Sequence, residues 1–283
     1  MTANEVNRPA PGARARVILM LAAVLSVVVP YLFWNHAWFG RKLTDREIRA
    51  YLHDSDHPRK IQHALSQMAE RMLQGDPVVS AWYPEVAALA RSPLPELRTM
   101  AAWVMGQDNR SEMFHRTLAG LLGDPEVMVR RNAALALVRF GDDAGRAVML
   151  QALQPWMIRA PAEGQIRIRL EPGQSVRGKA MLARIECLGN RETDVRSPAS
   201  GRVEDIFVSD NSRIEAGARL LSLRSAPDEV SEVLRGLFLV GRTEDLAAVE
   251  QYARIPDLPD DVHRQAVLTA QAIRTRSERN PIR

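Results

Sequence analysis

Hydrophobic and polar positions divide the chain into zones of different period. From Val17 to Gly40 there is no Asp, Glu, Lys or Arg, and Val17–Trp34 is nearly all apolar, broken by Ser26 and Pro30. About 20 helical residues, rising roughly 1.5 Å each, cross a hydrocarbon layer of about 30 Å. Residues 17–40 are therefore expected to form a transmembrane anchor behind a polar tail at 1–16. Tyr31, Trp34 and Trp38 gather at one end, where amphipathic rings favour the membrane interface. A cleaved signal peptide is disfavoured, since no small-x-small pair follows the apolar run. Arg8, Arg14 and Arg16 precede the span, and Arg41, Lys42, Arg46 and Arg49 follow it, so charge does not orient it. The short, Pro-rich tail places the N-terminus inside and the folded mass in the periplasm of a bacterial inner membrane.

Residues 43–155 carry helical spacing. Thr44 and Glu47 form the pattern of a capping box. Ile61, Ala64, Leu65, Met68 and Met72 share one helix face. Ser92-Pro93-Leu94-Pro95-Glu96-Leu97-Arg98 leads into Ala101-Ala102, and 32 residues later Asp124-Pro125-Glu126-Val127-Met128-Val129-Arg130 leads into Ala133-Ala134. Gly141-Asp142 is a natural helix stop. A period of this size predicts stacked helix pairs, because one pair cannot bury its apolar face alone. The Pro-x-x-x-x-Arg-x-x-Ala-Ala patterns at Pro93–Ala102 and Pro125–Ala134, with Leu135, Leu137, Gly141 and Asp142, resemble HEAT repeats. The preceding unit matches only through Pro58 and Ala64. The resemblance implies a concave binding surface without catalysis.

The period becomes two in residues 157–225. Ile166, Ile168 and Leu170 alternate with Arg167 and Arg169, as in a half-exposed strand. Arg159–Ile166 is echoed by Arg196–Val203 at an offset of 37 residues. With the offset at 38, Ile168 matches Ile206, Val176 matches Ile214, Leu182 matches Leu220 and Ile185 matches Leu223. Two similar strand sets packed about a pseudo-twofold are expected, with tight turns at Pro172-Gly173 and Asp210-Asn211. The segment Arg196–Gly217, followed by Leu220-Leu221, resembles the lipoyl/biotinyl carrier fold and its version in periplasmic membrane-fusion adaptors. That likeness implies a small β-sandwich or flattened barrel. It also puts Asn190, before Glu192-Thr193, where a carrier has its modified lysine. Asn has no primary amine, and Lys42, Lys60 and Lys179 are the three lysines of the chain. No swinging arm is expected. Adaptors insert a long helical hairpin at this tip; here a turn of a few residues stands instead.

Helical spacing returns in residues 228–276, first at Val230, Val233, Leu234 and Leu237, then at Leu246, Val249 and Tyr252, then at Val262, Ala266 and Ala270. Phe238–Gly241 and the following Asp245-Leu246 resemble the end of a HEAT helix and its successor, so these are expected to be C-terminal HEAT-like helices, with the β-module inserted within or between two solenoid pieces. Residues 277–283 read as a tail. The fold class is thus α+β: an anchor, a HEAT-like α-solenoid and an inserted lipoyl-like module.

Composition narrows the chemistry. Arginines are scattered, and a net charge of +4 without a dense basic run argues against nucleic-acid binding. A lone Cys187 excludes an intrachain disulfide and a cysteine zinc site. Gly173–Ala180 nearly spells a phosphate-binding loop, but Ala180 stands at the Mg²⁺-binding hydroxyl position. His53, Asp54, Asp56, His57 and His63 lie close enough to suggest a metal, and a solvated loop at Pro58 is the preferred reading. Trp82, Tyr83 and Trp103 are candidate partner-binding residues, against the alternative of packing between helices. No catalytic, cofactor-binding or metal residue is assigned. A non-catalytic, membrane-anchored scaffold or accessory subunit of a membrane or periplasmic protein complex is expected; a reduced membrane-fusion adaptor of an export system is the alternative.

Overall fold

The computed structural model describes residues 41–279 apart from 188 and 190. The tail at 1–16, the anchor expected at 17–40 and Asn190 lie outside the described residues. Among the described residues no helix is long and apolar enough to cross a membrane.

Helices α1 (Asp45–Leu52) and α2 (Pro58–Leu73) come first. Thr44 Oγ1 accepts the Glu47 amide, while Glu47 Oε2 accepts the Thr44 amide at 2.9 Å. These bonds satisfy amides that an uncapped helix start leaves open. Pro58 opens α2 at a position where its missing N–H costs nothing. A 3-10 turn, Pro77–Trp82, leads into the short α3 (Tyr83–Ala88). Then come α4 (Pro95–Met105), α5 (Glu112–Leu121), α6 (Val127–Arg139) and α7 (Arg146–Ala152). At the end of α6, Gly141 has φ +73°, and the amides of Gly141 and Asp142 bond the carbonyls of Val138 and Leu137. This left-handed stop is one that glycine adopts without strain.

Ala101, Ala102, Ala133 and Ala134 are fully buried. A Cβ on Gly145 would stand 2.5 Å from Ala134, and one on Gly106 2.9 Å from the Ala136 Cβ. Small residues let these helices approach closely, and the cores of α1–α6 merge into one cluster.

The β-module follows α7, with strands β1 (Trp156–Arg159), β2 (Gly164–Arg167), β3 (Ser175–Val176), β4 (Met181–Cys187), β5 (Arg191–Arg196), β6 (Gly201–Ile206), β7 (Arg213–Ile214) and β8 (Arg219–Ser225). They form two antiparallel sheets, ordered β1-β8-β6-β3 and β5-β4-β2-β7. Advancing every strand by four places converts one order into the other, so the sequence duplication is a duplication in space. Registers agree: Ile158 faces Leu221, and their counterparts Val195 and Ala183 face each other. The flattened-barrel alternative is corrected: the sheets stay separate, each ending at a two-residue strand, β3 or β7. Ile166, Ile185, Val203 and Leu223 fill the space between them. Cys187, at the end of β4, pairs with Arg191, at the start of β5.

The chain then returns to helices: α8 (Pro227–Val240), α9 (Leu246–Glu250) and α10 (Asp260–Arg279). Helix α10 runs three residues into the segment read as a tail, a correction explained by Ile273 and Arg276 packing against α8 and Gly241. Helices α6 and α7 share one core with α8, α9 and α10. Buried Ala133, Ala134 and Leu137 match Val233, Leu234 and Leu237 at an offset of 100 residues, one 32-residue period plus 68 residues of insertion. The module therefore interrupts a continuous helical stack.

Candidate interaction surface

Each repeat begins by folding an arginine back over its own turn. Arg98 Nη1 donates to the Ser92 carbonyl at 2.9 Å. Arg130 Nη1, its equivalent, donates to the carbonyls of Asp124 and Pro125 at 2.6 and 2.9 Å. Ser92 Oγ accepts the Leu94 amide, and Asp124 Oδ1 accepts the Glu126 amide. Arg98 also forks onto Asp124, tying one repeat to the next and holding the Asp124 carboxyl below its ordinary value. These bonds fix the start of α4 against the start of α6.

A groove crosses the faces of α4, α6 and α8. At the module end it encloses about 530 Å³, with Met100, Trp103 and Met128 as apolar walls and Glu96, Glu126 and Lys179 at its rim. It continues as a second hollow of about 390 Å³, bordered by Leu135 and Leu239 and by Arg139, Glu232 and Arg235. Trp103 and Asn132 line both hollows. Trp103 is 46% exposed and Leu239 58%, whereas Leu97, Val104 and Met105 of α4 are buried.

Lys179 reaches from the module turn to Glu96 on α4, an ion pair across the groove that lowers the Glu96 carboxyl below its usual value. Lys179 has φ +65°, and its counterpart Gly217 has φ +83°. Their amides make matched bonds, Lys179 to the Ser197 carbonyl and Gly217 to the Ala160 carbonyl, both at 2.8 Å. The same holds at the other turn, where Gly173 and Asn211 are counterparts with φ +87° and +61°. The near-match to a phosphate loop is thus one copy of a duplicated strand turn.

At its base the module is tied where the chain leaves and re-enters. Trp156 Nε1 donates to Ser225 Oγ at 3.3 Å, and Ser225 Oγ donates to the Ala152 carbonyl at 2.8 Å. Beside it the Tyr252 hydroxyl donates to the Leu153 carbonyl, and burial pushes that phenol up to about 12. Between α6 and α8, Arg131 pairs with Glu229, both nearly buried. Burial raises the Glu229 carboxyl despite that partner.

The three candidate partner-binding residues fare differently. Trp82 is 1% exposed, inside the core with the Arg71 guanidinium 5.2 Å from its ring centroid, so it is removed from the docking surface. Tyr83 is half-buried; its hydroxyl donates to Asp108 at 2.7 Å and its ring packs on Phe114. Trp103 alone of the three lines the groove. The sequence left exposure and packing between helices as alternatives for all three, and only the neighbouring chain decided which face each one meets. Leu239 was missed because its exposure depends on where α8 docks after the insertion.

Between the end of α1 and the first turns of α2, His57 Nδ1 and Lys60 Nζ both bond Asp54 at 2.7 Å, and His63 contacts Gln67. Among the described residues no group of three His, Cys, Asp or Glu converges as metal ligands.

No curated protein matches the chain. A solved single-chain, multi-domain long-chain acyl-CoA carboxylase aligns with 44% of this chain and 14% of its own length, at 17% identity and a TM-score of 0.25, values that carry no argument. The family model for HEAT repeats matches residues 83–166. The stacked helices within that stretch are HEAT-like repeats.

Proposed function

We propose that the chain is a non-catalytic, membrane-anchored scaffold, an accessory subunit of a bacterial membrane protein complex. The observation that carries this reading is the groove over α4, α6 and α8, with an exposed Trp103 at its centre. Exposed aromatics in apolar hollows are typical anchors of protein interfaces. The repeats supply the curved framework that presents them. The anchor belongs to residues 17–40, an uncharged stretch long enough to span.

The inserted module fits the same role. Its paired four-stranded sheets and pseudo-twofold support kinship with the lipoyl/biotinyl fold, used here as a docking body and not as a carrier. A carrier needs an amine at the tip, and the residue there is Asn190.

Purification of the full chain from membranes in mild detergent tests the proposal. A partner should copurify in fixed ratio from wild type and be lost from Trp103→Ala. A chain that elutes alone, or a partner retained by Trp103→Ala, would refute it. A chain recovered without detergent would refute the anchor.

A further inference from the structure

The charges around the groove are not evenly placed. At the module end, Lys179 neutralises Glu96, and Glu126 is left without an ion-pair partner among the described residues. At the α8 end stand Arg139, Arg235 and one acid, Glu232. Arg139 donates to the neutral Gln107 side chain, and neither arginine is ion-paired among the described residues. Counted by lining side chains, the module end carries one excess negative charge and the α8 end one excess positive charge. The apolar lining comes from Met100 and Met128 at the module end, Leu135 and Leu239 at the α8 end, and Trp103, shared by both.

Three of the walls are helices, whose main-chain groups are bonded within each helix. The module wall, Gly178, Lys179, Pro198 and Ser200, lies in turns outside the strands, so recognition goes through side chains and not through strand pairing. The apolar centre suits the buried face of an amphipathic helix, with anchors spaced at i, i+3, i+4 and i+7. Charge then sets its direction. Helices favour acidic residues in the first turn and basic residues in the last, because the backbone dipole leaves partial positive charge at the N-terminus.

We infer that the groove receives an amphipathic helix from a protein partner in one orientation, with its acidic N-terminal end on Arg139 and Arg235 and its basic C-terminal end on Glu126. This rests on the reading of the groove as a protein-binding surface, and it adds the partner's chemistry and polarity. Trp103 takes the central apolar anchor. Lys179, by occupying Glu96, keeps the module end from carrying a second free acid.

The test is to select peptides of about 16 residues, roughly four helical turns, from a displayed random library on the full chain in mild detergent. Binders should carry an apolar helical face, acids toward the N-terminus and bases toward the C-terminus. Their affinity should fall about tenfold or more on Trp103→Ala, as expected for a central anchor. Glu126→Arg should weaken them, and a peptide with an acidic C-terminal end should regain binding to that variant. Binders that depend on Trp103 but show no charge bias would overturn the polarity while leaving the groove as a protein-binding surface. Binders indifferent to Trp103→Ala, or no binder at all, would overturn both. Trp103 is exposed, so its replacement leaves the fold intact, and a thermal melt confirms that directly.

Discussion

Arg98 holds the carboxylate of Asp124 through Nε and Nη2, at 2.7 and 2.9 Å, across 26 residues of sequence. The side chains are 12% and 6% exposed. Removing one member of such a pair leaves the other charge buried, at a cost of about 3 kcal/mol or more. Asp124→Ala should therefore lower the urea midpoint strongly. The fork keeps the Asp124 carboxyl below its ordinary 3.8, so its stabilisation is present above that value and fades as pH falls through the folded-state value. Denaturant titrations between about pH 5 and pH 2 should show this slope flattened in Asp124→Asn. An unchanged slope would assign the acid sensitivity elsewhere.

Arg131 and Glu229 form the opposite case. Burial raises the Glu229 carboxyl above its ordinary 4.5, so ionising it costs folding free energy. Stability from this group falls as pH rises from that value through the folded-state value, the reverse of Asp124. The Nε of Arg131 has no hydrogen-bond partner. Arg131→Met or Glu229→Leu alone should cost about 3–5 kcal/mol, while the double replacement should be near neutral. A double-mutant cycle by chemical denaturation measures this. Additive losses would mean that the pair is not coupled.

Two tryptophans should separate folding from binding. Trp82→Ala empties a core site and should cost about 3–5 kcal/mol. Trp82→Phe should cost much less, because Trp82 Nε1 is buried without a partner. Trp103→Ala should shift stability by no more than about 0.5 kcal/mol. Thermal melts of the three variants decide, and a melt of Trp103→Ala as low as that of Trp82→Ala would contradict the groove.

The pseudo-twofold makes a paired prediction. Gly217 and Lys179 share one backbone conformation, but only glycine adopts it freely. Gly217→Ala should destabilise the module by about 1 to 2 kcal/mol. Lys179→Gly relieves the strain and gives up only an exposed ion pair, so stability should hold or rise slightly. Melting both variants checks the symmetry; equal losses would deny that the two positions are equivalent.

The match of residues 83–166 to HEAT repeats agrees with the 32-residue period read from Pro93 and Pro125, and that period was legible because turn, arginine and small residues recur locally. The strand duplication was legible for the same reason: alternation and turn residues are neighbour effects, and both halves carry them. The return of HEAT-like helices was legible at Phe238–Gly241 and Asp245-Leu246, but the register of α8 against α6 was not, since α8 has Val230 where the earlier units have arginine, and 68 residues intervene.

What the sequence determined alone is therefore periodic and local: where helices and strands run, where they turn, and that two units repeat. What the tertiary structure decided is which side of each element meets another. It buried Trp82 and exposed Trp103, joined α7 to α8 across the module, and set Lys179 opposite Glu96. Burial and ion pairing depend on elements far apart in the chain, so no local spacing could encode them.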